Sequence, residues 1–170
     1  IITIGWTGTF SSIKYLKTLE QVFLNLSKKI NFQLVIIGNF DYELKDVNVK
    51  MIQWNKKSEI EDLSKFDIGL YPLMQDEKWV YGKSGLKALQ YMAMGIPSIS
   101  TNIGNVKNFI NDGVNGFLAN DEKEWETIIL NLVKDQNLRI NVGLNARKTI
   151  EEGYSNNIIR KKYYNILRDF

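Results

Sequence analysis

Apolar positions along this chain follow two periods that alternate from the first residue to well past its midpoint. Short runs rich in β-branched residues predict strands: Ile1-Ile2-Thr3-Ile4, Gln33-Leu34-Val35-Ile36-Ile37, Val49 to Trp54, Asp67 to Pro72, Ser98 to Thr101 and Phe117-Leu118. Between them, spacings of three and four residues predict helices. The first helical stripe is Ile13, Leu16, Leu19, Val22, Phe23 and Leu26, with Ser11 or Ser12 placed to cap it. Lys57 to Lys65 predicts a polar helix in which Ser58 and Glu61 have capping-box spacing. Leu86, Leu89, Ala93 and Met94 mark a further helix, which Gly95 closes and Pro97 cannot continue. After a brief helix over Asn105 to Ile110 and turn chemistry at Asp112-Gly113-Val114-Asn115-Gly116, the remainder reads as helical. Asp121 caps Glu122–Lys134, a second helix covers Asn137 to about Glu152, and a third runs from Ser155 to Phe170 with Ile159, Tyr163, Ile166 and Phe170 on one face.

Strands alternating with helices predict an α/β fold: a Rossmann-like parallel sheet with helices on both faces, in three layers. The opening unit, a strand followed by a turn at Gly5-Trp6-Thr7-Gly8 and a helix, fits that scheme. It is a poor dinucleotide fingerprint, because a third glycine is missing and Gly38-Asn39 brings no acidic residue after the second strand. A receiver-type signalling domain would need an acidic cluster after the first strand, and Ile4 to Thr9 has none. Ligands in such folds bind at the carboxyl ends of the strands, and Gly8, Asn39, Trp54, Gly82 and Gly104 all fall at predicted exits.

Composition narrows the chemistry. The 170 residues, 44% hydrophobic and 24% charged, suit one domain. A net charge of +3 suits an anionic ligand or a membrane surface, but is too diffuse for a nucleic-acid partner. Cysteine and histidine are both absent, which removes disulfides, thiolate metal sites and the commonest general base. No apolar run approaches the roughly 20 residues of a membrane span, and the chain opens directly on a strand, as a domain taken from a longer protein would.

The densest local signal is Gly82 to Gly104. Gly82 and Gly85 bracket Lys83 and Ser84 just before a helix, where free N–H groups, the helix dipole and a lysine favour an anion. Gly85, lacking a Cβ, would let a phosphate approach the main chain. An ordinary loop-to-helix junction with Ser84 as cap and Lys83 in solvent explains the same residues.

From Gly82 the chain also resembles the donor-binding core of GT-B glycosyltransferases of the large retaining class, whose segment reads E-G-F-G-L-x-x-x-E-A-M-A-x-G-x-P. Leu89 to Pro97 and Asp112-Gly113-Val114-Asn115-Gly116 match it closely. The family's first two glutamates fall on Gly82 and Gln90, so the paired carboxylates are missing, and a third falls on Asn108. Gly8 to Lys14 stands where the family has G-R-L-x-x-x-K, with Lys14 on the lysine and Thr9 on the arginine; Asp135 to Arg147 and Tyr154-Ser155 match its closing segment. The resemblance implies that residues 1–170 form the C-terminal, nucleotide-sugar-binding half of a GT-B fold, with the N-terminal acceptor half outside this chain. It implies a donor-diphosphate site at Gly8, Thr9, Lys14, Gly82, Lys83, Ser84 and Gly85, with Trp54, Asn55 and Gln90 at the base and ribose. Trp79 and Tyr81 would wall that pocket or pin its entrance. Catalytic groups are expected in the missing half, so the isolated domain should be inactive. No metal and no cofactor beyond the nucleoside-diphosphate sugar is expected. The implied setting is bacterial cell-surface polysaccharide or glycolipid synthesis, in the cytoplasm, with peripheral association of the full-length enzyme at the inner membrane face and no nucleic acid. The alternative is a sugar-nucleotide-binding or epimerase-type GT-B domain without transferase activity.

Overall fold

The computed structural model describes residues 1–168. Six parallel strands form one sheet: β1 (Ile2–Thr7), β2 (Phe32–Ile37), β3 (Val49–Ile52), β4 (Ile68–Tyr71), β5 (Ser98–Thr101) and β6 (Phe117–Ala119). Their order is β3-β2-β1-β4-β5-β6. The direction of winding therefore reverses between β1 and β4, and a crevice opens at the carboxyl ends there. The helices are α1 (Ile13–Lys17), α2 (Glu20–Ser27), α3 (Glu59–Leu63), α4 (Leu86–Ala93), α5 (Glu122–Lys134), α6 (Gln136–Gly153) and α7 (Asn156–Arg168).

Strand alternation divides the core between the two sheet faces. Ile4, Trp6, Leu34 and Ile36 pack with Leu16, Val22, Phe23 and Leu26 of α1 and α2 and with Ile129 and Leu132 of α5. On the other face Val35 and Ile37 meet Leu63, Phe66 and Tyr91. Both sides are covered, which is why the strands read as nearly continuous apolar runs. Glycine in two central strands makes the second layer fit. A Cβ on Gly5 would stand 2.1 Å from the Phe66 ring, and one on Gly69 would stand 2.4 Å from the Tyr91 ring. Those rings lie 6.0 Å apart, seated directly on the strands.

Local departures from the sequence pattern have identifiable causes. Gly5-Trp6-Thr7 belongs to β1, since Ile2–Thr7 pairs with Phe32–Ile37 along its whole length, and the turn begins only at Gly8. The stripe from Ile13 to Leu26 is split between α1 and α2. Thr18 lies at the break, where its Oγ1 donates to the Tyr15 carbonyl at 2.6 Å and competes with the helix ladder. Ser58 is the N-cap of α3 but makes no side-chain capping bond, so no capping box forms. Asp121 and Asp135 do cap, accepting from Glu124 N at 2.8 Å and Leu138 N at 2.9 Å. The last helix, α7, buries no residue and leaves Tyr163 and Ile166 exposed; Phe170 lies outside the described residues. Among the described residues no helix is long and apolar enough to cross a membrane.

Candidate functional site

A cleft of about 580 Å³ opens where the winding reverses. Its floor comes from the loop after β1 (Thr7 to Phe10), with Asn39 following β2 and Trp54 following β3. The first turns of α4 close it with Leu86, Lys87 and Gln90, and Glu59 of α3 adds a carboxylate. The volume lies within the range of small-molecule sites. Tyr91, fully buried behind α4, fixes the geometry: its hydroxyl accepts from Thr7 N at 3.2 Å and ties the end of β1 to α4. Burial raises the Tyr91 pKa, so the phenol stays neutral.

Of the residues nominated from sequence, Gly8, Thr9, Trp54 and Gln90 line this cleft, whereas Lys14, Asn55, Gly82, Lys83, Ser84 and Gly85 do not. Asn55 is spent on a turn, accepting from Lys57 N at 2.9 Å. Trp54 donates its indole N–H to Glu59 Oε1 at 3.1 Å, which holds the ring beside the cleft. Gly104 packs against the main chain of Tyr81 rather than joining the rim of the cleft.

The glycine loop is built differently from its sequence reading. Lys78–Gly82 is a 3-10 turn, and Lys83 N donates to Val80 O at 3.1 Å, so the amides just after Gly82 are not all free. Ser84 does not cap the helix. The N-cap is Gly85, with φ +79°, a left-handed conformation that a side chain would strain. Its missing Cβ faces the interior, 2.7 Å from Phe109 Cζ, and gives no access to a ligand. The ladder of α4 begins with Leu89 N donating to Gly85 O at 3.1 Å. The first-turn amides of Leu86 and Lys87, two residues that line the cleft, therefore have no intrahelical partner.

Lys87 is the cation the sequence reading passed over, because it fell inside a helix pattern with no motif of its own. Its ammonium lies 5.9 Å from the Trp6 ring centroid. Burial lowers its pKa, and the Lys83 charge lowers it further.

Lys14 and Lys83 belong to a second cluster, organised by Glu77. The Glu77 carboxylate pairs with Lys14 Nζ and accepts from Tyr15 OH and Trp79 Nε1, each at 2.7 Å. These donors, Lys14 first, hold its carboxyl below the ordinary glutamate range. Lys83 rests 4.1 Å from the Trp79 ring centroid and 5.1 Å from that of Tyr15. Its pKa is lowered, first by burial. The sequence offered no sign of Glu77, which sits in a polar loop 63 positions from Lys14.

The Asp112-Gly113-Val114-Asn115-Gly116 turn is structural. Buried Asn115 accepts from Asn111 N at 2.7 Å and donates to Phe109 O and Thr149 Oγ1, each at 2.9 Å. Asp112 Oδ1 accepts from Leu118 N at 2.8 Å. Phe109, in turn, packs against Gly85. Among the described residues no group of three acidic, histidine or cysteine side chains could hold a metal ion.

Comparison with known proteins agrees with this architecture. The chain is 24% identical over 176 residues to N-acetyl-alpha-D-glucosaminyl L-malate synthase of Bacillus anthracis, covering 95% of this chain and 45% of that protein. It is 25% identical over 181 residues to the capsular polysaccharide biosynthesis glycosyltransferase CapM of Staphylococcus aureus, covering 98% and 46%. The chain thus spans about half the length of these relatives. The crystal structure of the C-terminal domain of a glycosyl transferase group 1 family protein (LpcC) from Francisella tularensis superimposes with a TM-score of 0.74 at 22% identity, covering 91% of this chain and 87% of that one. The family profile for glycosyl transferases group 1 matches residues 2–135, and with most of its length so matched the chain belongs to that glycosyltransferase family, in the α/β fold of a GT-B half.

Proposed function

We propose that this chain is the donor-binding half of a glycosyltransferase that moves a sugar from a nucleoside-diphosphate sugar to an acceptor in bacterial cell-surface polysaccharide or glycolipid synthesis. The observation that carries this reading is the cleft at the carboxyl ends of β1 to β3, closed by the start of α4 with Lys87. The nucleoside lies against Trp54 and Asn39, and Gln90 hydrogen-bonds the ribose hydroxyls through its amide. The diphosphate meets the first-turn amides of α4 and Lys87, with Lys83 and Lys14 beyond them. Negative charge grows on the nucleoside diphosphate as the sugar departs. Fixed amides and ammonium groups favour that state over the intact donor, which is leaving-group stabilisation without a metal. Acceptor and catalytic groups are supplied by a second half of the enzyme, in keeping with relatives about twice as long.

Gly82 and Gln90, where the family has glutamates, favour one alternative, an epimerase-type or purely binding domain of the same fold. Calorimetry of this chain with UDP, GDP and ADP against their nucleosides tests the site. Product analysis of the full-length protein with a sugar nucleotide separates transfer from epimerisation or hydrolysis. Tight binding of nucleosides with no gain from the diphosphate would overturn the proposed site.

A further inference from the structure

We infer that Glu77 is the carboxylate of the donor-sugar subsite, held in reserve by Lys14 until a diphosphate arrives. The inference rests on the nucleotide-sugar reading of the cleft, and three observations carry it. First, the first glutamate of the resembling family falls on Gly82, which has no side chain, so a carboxylate for sugar hydroxyls has to come from another position. Second, the cations run in order from the cleft outward. Lys87 lines the cleft, Lys83 precedes it by four residues at the entrance to α4, and Lys83 rests against the rings of Tyr15 and Trp79, which both donate to Glu77. A ligand with its nucleoside at Trp54 and its phosphates along that row brings its sugar to Glu77. Third, the carboxylate is aimed and held: Tyr15 OH and Trp79 Nε1 donate to Oε2 at 2.7 Å, while Oε1 is taken by Lys14.

These partners divide the carboxylate into a fixed half and an exchangeable half. Tyr15 is buried and holds Oε2 in place, while the more exposed Trp79 adds a second donor to the same oxygen and carries Lys83 on its ring. Lys14 is about half exposed and sits on a long, flexible side chain. A diphosphate, with more charge than one carboxylate, draws Lys14 onto its oxygens. Oε1 is then free, and sugar hydroxyls are the donors at hand; a carboxylate accepts from them strongly. The acceptor is thus vacated by the binding of the same ligand that carries the sugar.

The two duties of Glu77 predict effects of opposite sign, which a merely structural residue would not give. Glu77→Gln removes the counter-ion of Lys14, so a bare nucleoside diphosphate should bind as well as before or more tightly. The sugar nucleotide should lose relative to it: the ratio of its dissociation constant to that of the bare diphosphate should rise about tenfold or more, the scale of one hydrogen bond to a charged group. Calorimetry on this chain decides it with UDP, UDP-glucose and UDP-N-acetylglucosamine, and with GDP and GDP-mannose, using the base that the wild type binds best. Trp79→Phe, which removes the indole N–H but keeps a ring under Lys83, should move the ratio in the same direction by less. A ratio unchanged in Glu77→Gln, or equal weakening of both ligands, would overturn the inference. A wild type that binds nucleoside and diphosphate equally would instead remove the donor-site reading, and this inference with it.

Discussion

Replacing Gly85 by alanine tests how the start of α4 is built. The backbone there has φ +79°, and a non-glycine residue in the left-handed region costs roughly 1–2 kcal/mol. The new methyl would stand 2.7 Å from Phe109 Cζ and 3.0 Å from its Cε1. Phe109 cannot simply swing away, because it is buried and packs edge-on against Tyr154 at 5.6 Å. Overpacking of this kind adds about 1–3 kcal/mol. Together these give a destabilisation of about 2–5 kcal/mol, measurable as a lower urea midpoint with unchanged m-value. At about 2–4 °C per kcal/mol for a chain of this length, Tm should fall by roughly 4–20 °C. The two contributions separate in a double mutant. Phe109→Leu in the Gly85→Ala background should cost less than Phe109→Leu alone, because there it also relieves the clash, while the backbone contribution stays. A Gly85→Ala protein within about 0.5 kcal/mol of wild type, the level of an ordinary surface change, would refute both the left-handed cap and the close contact.

Three other outcomes are expected. Lys87→Ala should weaken nucleoside diphosphate binding by about 1–3 kcal/mol, with Lys14→Ala and Lys83→Ala in the same range and the bare nucleoside barely affected; calorimetry reads all three. Binding should be unchanged by EDTA, and a loss restored by Mg²⁺ or Mn²⁺ would contradict a phosphate site made of amides and lysines. Glu77, Asp62 and Glu126 all have carboxyl pKa values lowered in the fold, each first by a hydrogen bond from a lysine. Their stabilisation is present above the ordinary carboxylate value of about 4.3 and is lost as pH falls from there through the lower folded values, because the unfolded chain takes up protons first. Glu77→Gln should therefore flatten part of the decline of Tm with acid, measured by thermal melts across that range.

Strand and helix periods carried most of the fold into view, since buried parallel strands and amphipathic helices repeat on different spacings. The Gly95 and Pro97 punctuation and the Asp121 cap were legible for the same reason: each is a local device whose partner lies within a few residues. What could not be read is what depends on distant partners. Gly5 resembled a turn glycine because its reason, the Phe66 ring over the strand, lies 61 positions away. Gly85 suggested ligand access because the sequence does not say which way an absent side chain would have pointed. Lys87 and Glu59 reach the cleft only through the packing of α4 and α3 onto the sheet. Glu77 meets Lys14 and Tyr15 across 63 and 62 positions. Lys14 was visible through family resemblance alone, and that resemblance could not disclose that a carboxylate already holds it.

The central claim is that this cleft is made for the diphosphate of a sugar nucleotide. Calorimetric titration of the chain with UDP, GDP and ADP, each beside its own nucleoside, tests it most directly. At least one diphosphate should bind more tightly than its nucleoside by about tenfold or more, roughly 1.4 kcal/mol, and Lys87→Ala should remove most of that margin. Equal affinity for nucleoside and diphosphate in all three pairs, or a margin untouched by Lys87→Ala, would contradict it.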